Sequence, residues 1–240
     1  MKDLDMPPGA IKVLDKGFVA LLDHMGNDTT IVNAARVSFG KRVDRMSDRD
    51  EKLIRYLLKN RHTSPFEHVQ FQFHIKCPLF VRSQWHRHRT WSYNEISSRY
   101  TEVKEEFYIP SMFRRQSPSN KQASIEVPAD ETCFNVYEQK QTETREAYIQ
   151  SCKFSIEQYK NLLKAGVARE LARAVLPQAM YTQFYGTVDL HNLLHFIELR
   201  IHPHAQWEIQ QYAKALLELI TPIVPVTIKI WKELKEDLKI

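Results

Sequence analysis

The alternation of apolar and polar positions predicts a β-strand in the segment HVQFQFHIK, residues 68–76. One face of this segment is apolar and the other is polar, with Val69, Phe71, Phe73 and Ile75 opposed to Gln70, Gln72, His74 and Lys76. A repeat of two residues is the period of a strand that buries one side. We expect Pro78 to end the strand and the following LFVRSQWHRHR to begin a helix.

Apolar residues spaced three and four apart predict helices elsewhere. The segment SDRDEKLIRYLLKN begins with Ser47 three residues before Asp50, which is the spacing of a capping box. Its apolar stripe consists of Leu53, Ile54, Leu57 and Leu58. A long helix is predicted over residues 131–164 and ends at Gly166. Its buried side carries Tyr148, Cys152, Tyr159 and Leu163.

Two more helices are predicted near the C-terminal end. LHNLLHFIELRI has an apolar stripe formed by Leu190, Leu193, Leu194, Ile197 and Ile201. Three histidines are expected to project together from another face of that helix: His191, His195 and His202. AQWEIQQYAKALLELI is predicted as the helix that closes the fold before Pro222.

Shorter patterns complete the assignment. IKVLDKGFVALLDHMG predicts either an early strand pair or a strand with a turn at Gly17, and AMYTQFYGTV predicts a strand. TTIVNAARVSFG predicts a short helix that is capped by Thr29 or Thr30 and stopped at Gly40. ARELARAVLP predicts another short helix, stopped by Pro177, and residues 114–130 are polar and predict a surface loop. With no repeat or linker, the elements predict one α+β domain over residues 1–240, with a mixed or antiparallel sheet flanked by helices.

Composition narrows the class of protein. The chain has 240 residues and a formal net charge of +5, which favours anionic ligands or nucleic acid without choosing between them. Its three cysteines, Cys77, Cys133 and Cys152, have no CxxC spacing, so we expect a reducing, cytoplasmic environment. The N-terminus lacks the apolar stretch of a signal peptide, and no apolar run is long enough for a membrane span.

The segment QWHRHRTWSYNEISSRY concentrates charge among aromatic residues at positions 84–100. A solvated basic face is the simplest interpretation of its arginines. Two later arginines favour a binding role, since Arg173 lies in the apolar LARAVLP and Arg200 at the edge of an apolar stripe. Such a position requires an acidic or phosphate partner, and pairing with Glu198 or Glu208 is the structural alternative for Arg200.

Other motifs of nucleotide and metal sites are weak or absent. His86 and His88, and His202 and His204, form HxH pairs, but no HExxH motif occurs and we expect no metal. There is no GxGxxG or P-loop motif, so side chains must hold any nucleotide. A GxSxG motif is also missing, and Cys77 at a strand end is expected to be a small core residue rather than a nucleophile.

Taken together, these segments resemble the flavin-dependent thymidylate synthases. RHRTWSYNEISSR fits that family's pattern of RHR, seven residues and S-x-R, with Arg87 to Arg89 followed by Ser97 to Arg99. Four other segments are similar to the family in the same order: NAARVSFG at 33–40, RHTSPFEH at 61–68, ELARAVLP at 170–177 and LRIHPHAQWEIQQYA at 199–213. The resemblance therefore covers nearly the whole chain.

The resemblance implies a homotetramer with active sites shared between subunits. Each site is expected to bind FAD, dUMP, NADPH and methylenetetrahydrofolate, and to release dTMP and tetrahydrofolate. The residues expected to contact dUMP are Gln84, Arg87, Glu95, Ser97, Ser98, Arg99, Arg173 and Arg200, with Arg173 coming from another subunit. The residues expected to hold FAD are Ser38, Ser64, Glu67, Arg87, His88, Arg89, Thr90, Glu95, Asp189, His191, His195 and His204.

Two of these expectations concern the chemistry directly. Arg200 is expected to lie against the uracil and to favour ionisation at N3, which raises electron density at C5 without an enzymic cysteine nucleophile. His62 and His204 are expected near the flavin, and we assign Arg200 and His62 as the catalytic residues. Asp189 stands where an asparagine is expected beside the flavin.

Two alternatives remain open on sequence alone. A nucleic-acid-binding module would explain the basic pI of about 9.0 and the arginine cluster with its aromatic residues. A metal-dependent hydrolase would explain the HxH pairs. The absorption spectrum of the purified protein distinguishes them, because only the flavoenzyme carries a flavin chromophore.

Overall fold

The protein is described here by a computed structural model covering residues 4–118, 120, 124–125 and 134–235, with backbone alone for 134–139. Its centre is a five-stranded antiparallel sheet in the order β1-β2-β3-β7-β4. These strands are β1 (Ile11–Val13), β2 (Gly17–Met25), β3 (Gln70–Pro78), β4 (Ser92–Glu95) and β7 (Tyr181–Asp189). The predicted α+β class is confirmed, and the sheet is antiparallel rather than mixed.

Helices surround this sheet. Their bounds are α1 (Asp28–Arg36), α2 (Asp48–Lys59), α3 (Ser64–Glu67), α4 (Leu79–Trp85), α5 (Phe134–Lys164), α6 (Arg169–Ala172), α7 (Leu190–Ile201), α8 (Trp207–Ile220) and α9 (Pro225–Leu234). Short 3-10 turns at Val37–Phe39 and Arg173–Val175 follow α1 and α6. Among the described helices, none is both long and apolar enough to cross a lipid bilayer.

The predicted central strand forms the main core. Phe71, Phe73 and Ile75 of β3 are fully buried, and β3 pairs with β2 on one side and β7 on the other. One residue of the expected polar face behaves differently. His74 is buried, and its Nε2 hydrogen-bonds with Gln183 Oε1 at 2.8 Å. A buried polar group needs such a partner, so the hydrogen bond to Gln183 of β7 allows His74 to be buried on the polar face of β3.

Helix α8 is fixed against the sheet through a glycine. A Cβ atom at Gly17 would lie 2.1 Å from Tyr212 Oη, so only glycine leaves room for this close approach. Tyr212 is fully buried and its hydroxyl donates to the carbonyl of Lys76 at 2.8 Å. This contact sets the position of α8, whose N-terminal end borders the candidate site described below.

Several predicted ends of helices are confirmed. Ser47 and Asp50 form the predicted capping box of α2, and Gly40 adopts a left-handed conformation after the 3-10 turn. Gly166, with φ of 83°, follows α5 as predicted. The apolar side of α5 is also confirmed, because Cys152 and Tyr159 are buried while Tyr148 and Leu163 are partly buried.

Other details of the prediction are wrong. The cap of α1 is Asn27, whose side chain accepts from the backbone of Thr29 and Thr30, so neither threonine is the cap. His202 lies beyond the end of α7 and is not on a helical face with His191 and His195. The predicted surface loop at 114–130 is not among these errors; its described part contains a small hairpin, β5 (Arg115–Gln116) paired with β6 (Ser124–Ile125). Residues 126–133 of the predicted loop and helix start lie outside the described residues, as does Cys133.

Candidate functional site

Arg200 lies in the last turn of α7, half-buried, and is bound by two neutral acceptors. Its Nε–H donates to His88 Nε2 at 3.0 Å, and its Nη2 donates to the carbonyl oxygen of Gln84 at 3.1 Å. Arg200 does not pair with Glu198 or Glu208, which are the carboxylates that the sequence offered as alternative partners. Glu198 binds Lys235 at 2.7 Å instead. Within the described chain, the Arg200 guanidinium therefore keeps a charge that no carboxylate neutralises.

The contact with Arg200 fixes the chemical state of His88. Because the guanidinium only donates hydrogen bonds, His88 Nε2 must be unprotonated to accept one. Burial, then the charge of Arg200, then His195 lower the pKa of His88 to about 4. The backbone around His88 is held in turn by Tyr93, whose hydroxyl donates to the His88 carbonyl at 2.9 Å. His88 is thus a neutral, rigidly placed acceptor.

A cavity of about 600 Å³ opens beside Arg200. Gln84 from α4, Arg200 and His204 line it together with Gln206 and Glu208 from the start of α8. Gln84 Nε2 donates to Gln206 Oε1, and Gln206 Nε2 donates to Glu208 Oε2 at 2.9 Å. The structure therefore brings together three of the predicted site residues, Gln84, Arg200 and His204, from two separate segments of the chain.

Two exposed arginines follow α4 in the chain, and the charge of one of them, Arg87, acts on Arg200. Arg87, Arg89 and Thr90 follow α4 and are exposed, and neither arginine has a carboxylate partner in the described part of the chain. Burial and the nearby charge of Arg87 lower the pKa of Arg200. Because like charges repel, Arg87 and Arg200 destabilise each other's charged form in the free protein. A bound anionic ligand would relieve this repulsion.

The predicted phosphate contacts form a second cluster. Arg99 Nη2 lies 3.4 Å from the carboxylate of Glu170, and Arg173 Nε donates to the Glu170 carbonyl at 3.3 Å. Ser97 precedes Arg99 and its Oγ accepts from the Arg99 backbone N–H at 3.3 Å. Both arginines are exposed, and no described hydrogen bond or ion pair joins this cluster to Arg200. Arg173 in a neighbouring subunit's site therefore stays a prediction.

Glu95 is held by residues that the sequence analysis did not identify. Its Oε1 accepts from Thr182 Oγ1 at 2.7 Å and lies 3.2 Å from Arg82 Nε. The Arg82 contact is an ion pair without good hydrogen-bond alignment. Only the β4–β7 pairing brings Thr182 to Glu95, so no local pattern could have indicated it.

A third group of predicted residues lies where β3 begins and β7 ends. Asp189 pairs across the sheet with Gln70, and the side chain of Gln70 donates to the carbonyl of Glu67 on α3 at 2.9 Å. Asp189 is the N-cap of α7, accepting from the backbone N–H of Asn192 at 2.9 Å. Ser64 is the first residue of α3 and is exposed, and His191 lies in the first turn of α7.

The remaining predicted flavin contacts are more dispersed. His195 is exposed one turn after His191, with its ring 6.1 Å from that of His88. Ser38 is exposed on the 3-10 turn after α1, and its Oγ donates to the Ala35 carbonyl at 3.1 Å. His62 is exposed and lies edge-on to Tyr56, with ring centroids 5.6 Å apart. No described contact links Ser38 or His62 to Arg200.

The histidine pairs do not form a metal site in the described residues, which contain no group of three or more potential ligands. His86 packs against Tyr93 with ring centroids 4.2 Å apart, and burial lowers its pKa. His202 and His204 contact each other at 4.7 Å between ring centroids. These contacts account for the HxH spacing as local packing.

The two described cysteines are poorly suited to nucleophilic chemistry. Cys77 is fully buried, and burial followed by the charge of Glu95 raises the pKa of its thiol. Cys152 is buried in a smaller apolar cluster between α5 and the segment before β7, and burial raises its pKa as well. Since the thiolate is the reactive form, both environments favour an inert thiol, as expected for Cys77.

Comparison with known proteins identifies the family. Residues 20–226 match the family model described as thymidylate synthase complementing protein. The chain is 50% identical over 231 residues to a flavin-dependent thymidylate synthase of Thermus thermophilus, covering 96% of this chain and 80% of that protein. It is 47% identical over 216 residues to that of Thermosipho africanus, covering 90% of this chain and 91% of the relative.

A solved structure agrees with these matches. The UMP/dUMP methylase PolB from Streptomyces cacaoi, bound with 5-Br dUMP, superposes with a TM-score of 0.79 at 33% identity. The match covers 93% of this chain and 97% of PolB. The sequence matches, the shared fold and the preserved order of the motifs agree with the resemblance. The chain belongs to the flavin-dependent thymidylate synthase family.

Proposed function

We propose that this protein converts dUMP to dTMP, with methylenetetrahydrofolate as carbon donor and NADPH as reductant of bound FAD. The observation that carries the proposal is the charge of Arg200, which faces a cavity of about 600 Å³ and has only neutral partners. That cavity is large enough for a nucleotide base. Family membership supports this function over the nucleic-acid-binding and metal-hydrolase alternatives.

Arg200 would act on the uracil ring. Neutral uracil is a weak carbon nucleophile, and loss of the N3 proton spreads negative charge over the ring and raises electron density at C5. A fixed guanidinium beside the ring stabilises that charge most when it develops. The neutral state of His88 serves this role, since a protonated His88 could not accept from Arg200 Nε–H.

The residues present fit an anionic flavin nucleotide. Arg87 and Arg89 are exposed cations without described carboxylate partners, which is the donor set that a diphosphate requires. Thr90, His88, His195 and His204 would add polar contacts near Arg200. Ser64, Glu67, Asp189 and His191 would contact the cofactor at the other end of β3, with Ser38 beyond them. FAD, when bound, supplies the hydride that completes the methyl group.

The phosphate of dUMP would bind the cluster of Arg99 and Arg173. Both arginines are exposed and contact Glu170, so a phosphate would replace or share the weak Arg99 ion pair. Ser97 and Ser98 would donate to the same phosphate, and Glu95 would border the sugar from its fixed place beside Arg82. No described contact joins this cluster to Arg200, which is consistent with a homotetramer whose sites combine residues of two subunits.

The test is a flavin spectrum followed by turnover. Purified protein, loaded with FAD, should show flavin absorbance and form dTMP from dUMP when methylenetetrahydrofolate and NADPH are both present. UMP is included as a competing substrate, because the PolB neighbour is a UMP/dUMP methylase. Protein that stays colourless after refolding with excess FAD, or that forms no dTMP while flavin-loaded, would contradict the proposal.

A further inference from the structure

The two carboxylate oxygens of Glu95, at the end of β4, have different environments. Oε1 accepts from the hydroxyl of Thr182 at 2.7 Å and lies 3.2 Å from Arg82 Nε. Oε2 has no hydrogen-bond partner in the described part of the chain and is not buried, and the side chain as a whole is 24% exposed. Oε2 is therefore the oxygen that remains to accept a hydrogen bond from a ligand.

The two contacts at Oε1 have different consequences. Arg82 Nε lies near the carboxylate but makes no hydrogen bond, so it supplies positive charge without fixing a direction. The Thr182 hydroxyl donates to a charged acceptor at 2.7 Å, which is the geometry of a short, charge-assisted hydrogen bond. Thr182, rather than Arg82, therefore fixes which way the carboxylate of Glu95 turns.

The surroundings of Thr182 make it a rigid donor. The residue is buried, and it lies on β7, which pairs with β3 on one side and with β4 on the other. Glu95 pairs with Phe184, two residues after Thr182 on the strand, so Thr182 and Glu95 lie on the same face of the sheet. Threonine is branched at Cβ, which restricts rotation about χ1. The position of the hydroxyl is thus set by the sheet.

Glu95 is attached to two segments that are expected to bind dUMP. Through Arg82 it contacts α4, which carries Gln84 two residues further on. Ser97 follows Glu95 by two residues, and the backbone between them is held by the N–H of Ile96, which donates to a carbonyl of β7 at 2.9 Å. A carboxylate fixed at this place offers an acceptor to a hydroxyl or an N–H of a nucleotide.

We propose that Thr182 is a positioning residue for dUMP binding, which holds Glu95 so that Oε2 stays turned toward the nucleotide as an acceptor. Thr182 acts through Glu95 and makes no contact with the ligand. The inference rests on the proposed function, because it assumes that Glu95 contacts dUMP. Without the hydroxyl, the carboxylate keeps its attraction to Arg82 but can rotate, so it is no longer held ready for the ligand.

The experiment measures the affinity of FAD-loaded protein for dUMP and its turnover at saturating dUMP. Thr182→Val removes the hydroxyl and keeps the branched shape, and we expect the affinity to fall about tenfold, the equivalent of one charge-assisted hydrogen bond. Turnover at saturating dUMP should stay within about threefold of wild type, because the lost contact is made in the ground state as well. Thr182→Ser keeps the hydroxyl and should bind dUMP as wild type does.

Thr187→Val is the matched control, because it makes the same change on the same strand. Thr187 is partly buried, and its hydroxyl oxygen accepts only a long contact of 3.5 Å from Gln72. Its affinity for dUMP should equal that of wild type. FAD retention and thermal unfolding establish that each variant is folded. Where Thr182→Val does not retain FAD, Thr182→Ala also removes the hydroxyl and the same loss of affinity is expected.

A double-mutant cycle with Glu95→Ala separates positioning from a general effect on the fold. Once the carboxylate is gone, Thr182→Val should change the dUMP affinity by less than about threefold. A full tenfold loss in that background would show that Thr182 acts by another route, and the inference would be overturned. Wild-type affinity in the flavin-loaded variant without the hydroxyl, or an equal loss in Thr182→Ser, would overturn it too. Wild-type protein that binds FAD but not dUMP would instead contradict the proposed function.

Discussion

Replacement of Arg200 by alanine should reduce turnover far more than flavin binding. The substitution removes the cation that is proposed to stabilise negative charge on the uracil ring. Loss of one such preorganised donor typically costs about 10²–10³ in rate, or about 2.7–4 kcal/mol. The upper part of that range is expected, because no lysine or arginine within hydrogen-bond reach of the His88 and Gln84 acceptors replaces it in the described structure.

The same substitution has a separate cost in stability. It leaves His88 Nε2 and the Gln84 carbonyl without the donor that they share. An unsatisfied buried acceptor costs about 1–3 kcal/mol, and solvent entering the cavity will reduce this for Gln84. We expect a total loss of about 1–3 kcal/mol, which lowers the Tm of a chain of this size by about 2–12 °C. The variant should therefore remain folded at 25 °C.

The assay compares turnover per flavin-loaded subunit with saturating dUMP, NADPH and methylenetetrahydrofolate. Arg55→Ala is the matched control, because Arg55 is an exposed arginine that pairs with Glu233 at the surface. A surface pair of this kind is worth about 0–1 kcal/mol, so turnover should not change. If Arg200→Ala keeps turnover within about tenfold of wild type while flavin-loaded, the charge-stabilisation role is refuted.

Three further predictions concern other parts of the site. Arg99→Ala and Arg173→Ala should each raise the half-saturating concentration of dUMP and leave that of phosphate-free deoxyuridine unchanged; an equal loss for both would remove the phosphate role. Conversion of all three cysteines to serine should preserve turnover per folded, flavin-loaded protein, at some cost in stability because a buried hydroxyl replaces the Cys77 thiol; abolished chemistry in folded protein would require a cysteine nucleophile. His88 has a folded pKa of about 4 against 6.5 when unfolded, so its contribution to stability is present above pH 6.5 and lost as pH falls toward 4. The drop in Tm between pH 7 and pH 5 should be smaller in His88→Gln, and an identical drop would show that His88 is not the titrating group.

The fold was predictable where neighbouring residues determine it. The alternation of residues 69–75 identified β3, and the spacing of Ser47 and Asp50 identified the start of α2. Helix α9 is absent from the prediction, which ends the fold before Pro222, whereas Pro225 is the first residue of that helix. Proline is tolerated at that position, where its missing N–H would have no partner. Strand β4 was missed because its four residues are not apolar and depend on pairing with β7.

The sequence names candidate site residues but does not predict how they are arranged in space. The position of Arg200 at the edge of an apolar stripe predicted an acidic or phosphate partner for its guanidinium. The sequence suggested a nearby carboxylate, whereas the partners are His88 and Gln84, which lie 112 and 116 residues away along the chain. The RHR motif itself, with its exposed Arg87 and Arg89, gave no sign that its histidine holds Arg200. Contacts over such separations follow from the packing of α7 against α4, which local patterns do not encode.

The aspartate at position 189 illustrates how local structure moderates an unfavourable charge. An extra carboxylate beside an anionic flavin should repel it, and Glu67 lies at the same end of β3. Each carboxylate, however, accepts hydrogen bonds from neighbouring residues. Asp189 accepts two hydrogen bonds from Asn192, at 2.9 and 2.6 Å, and Glu67 accepts from Thr63 Oγ1 at 3.0 Å. Because the N-terminus of α7 is the positive end of the helix dipole, it partly offsets the charge of Asp189. Aspartate and asparagine are comparable caps, so the carboxylate can stand where an amide was expected while it still caps the helix that carries His191, His195 and Arg200.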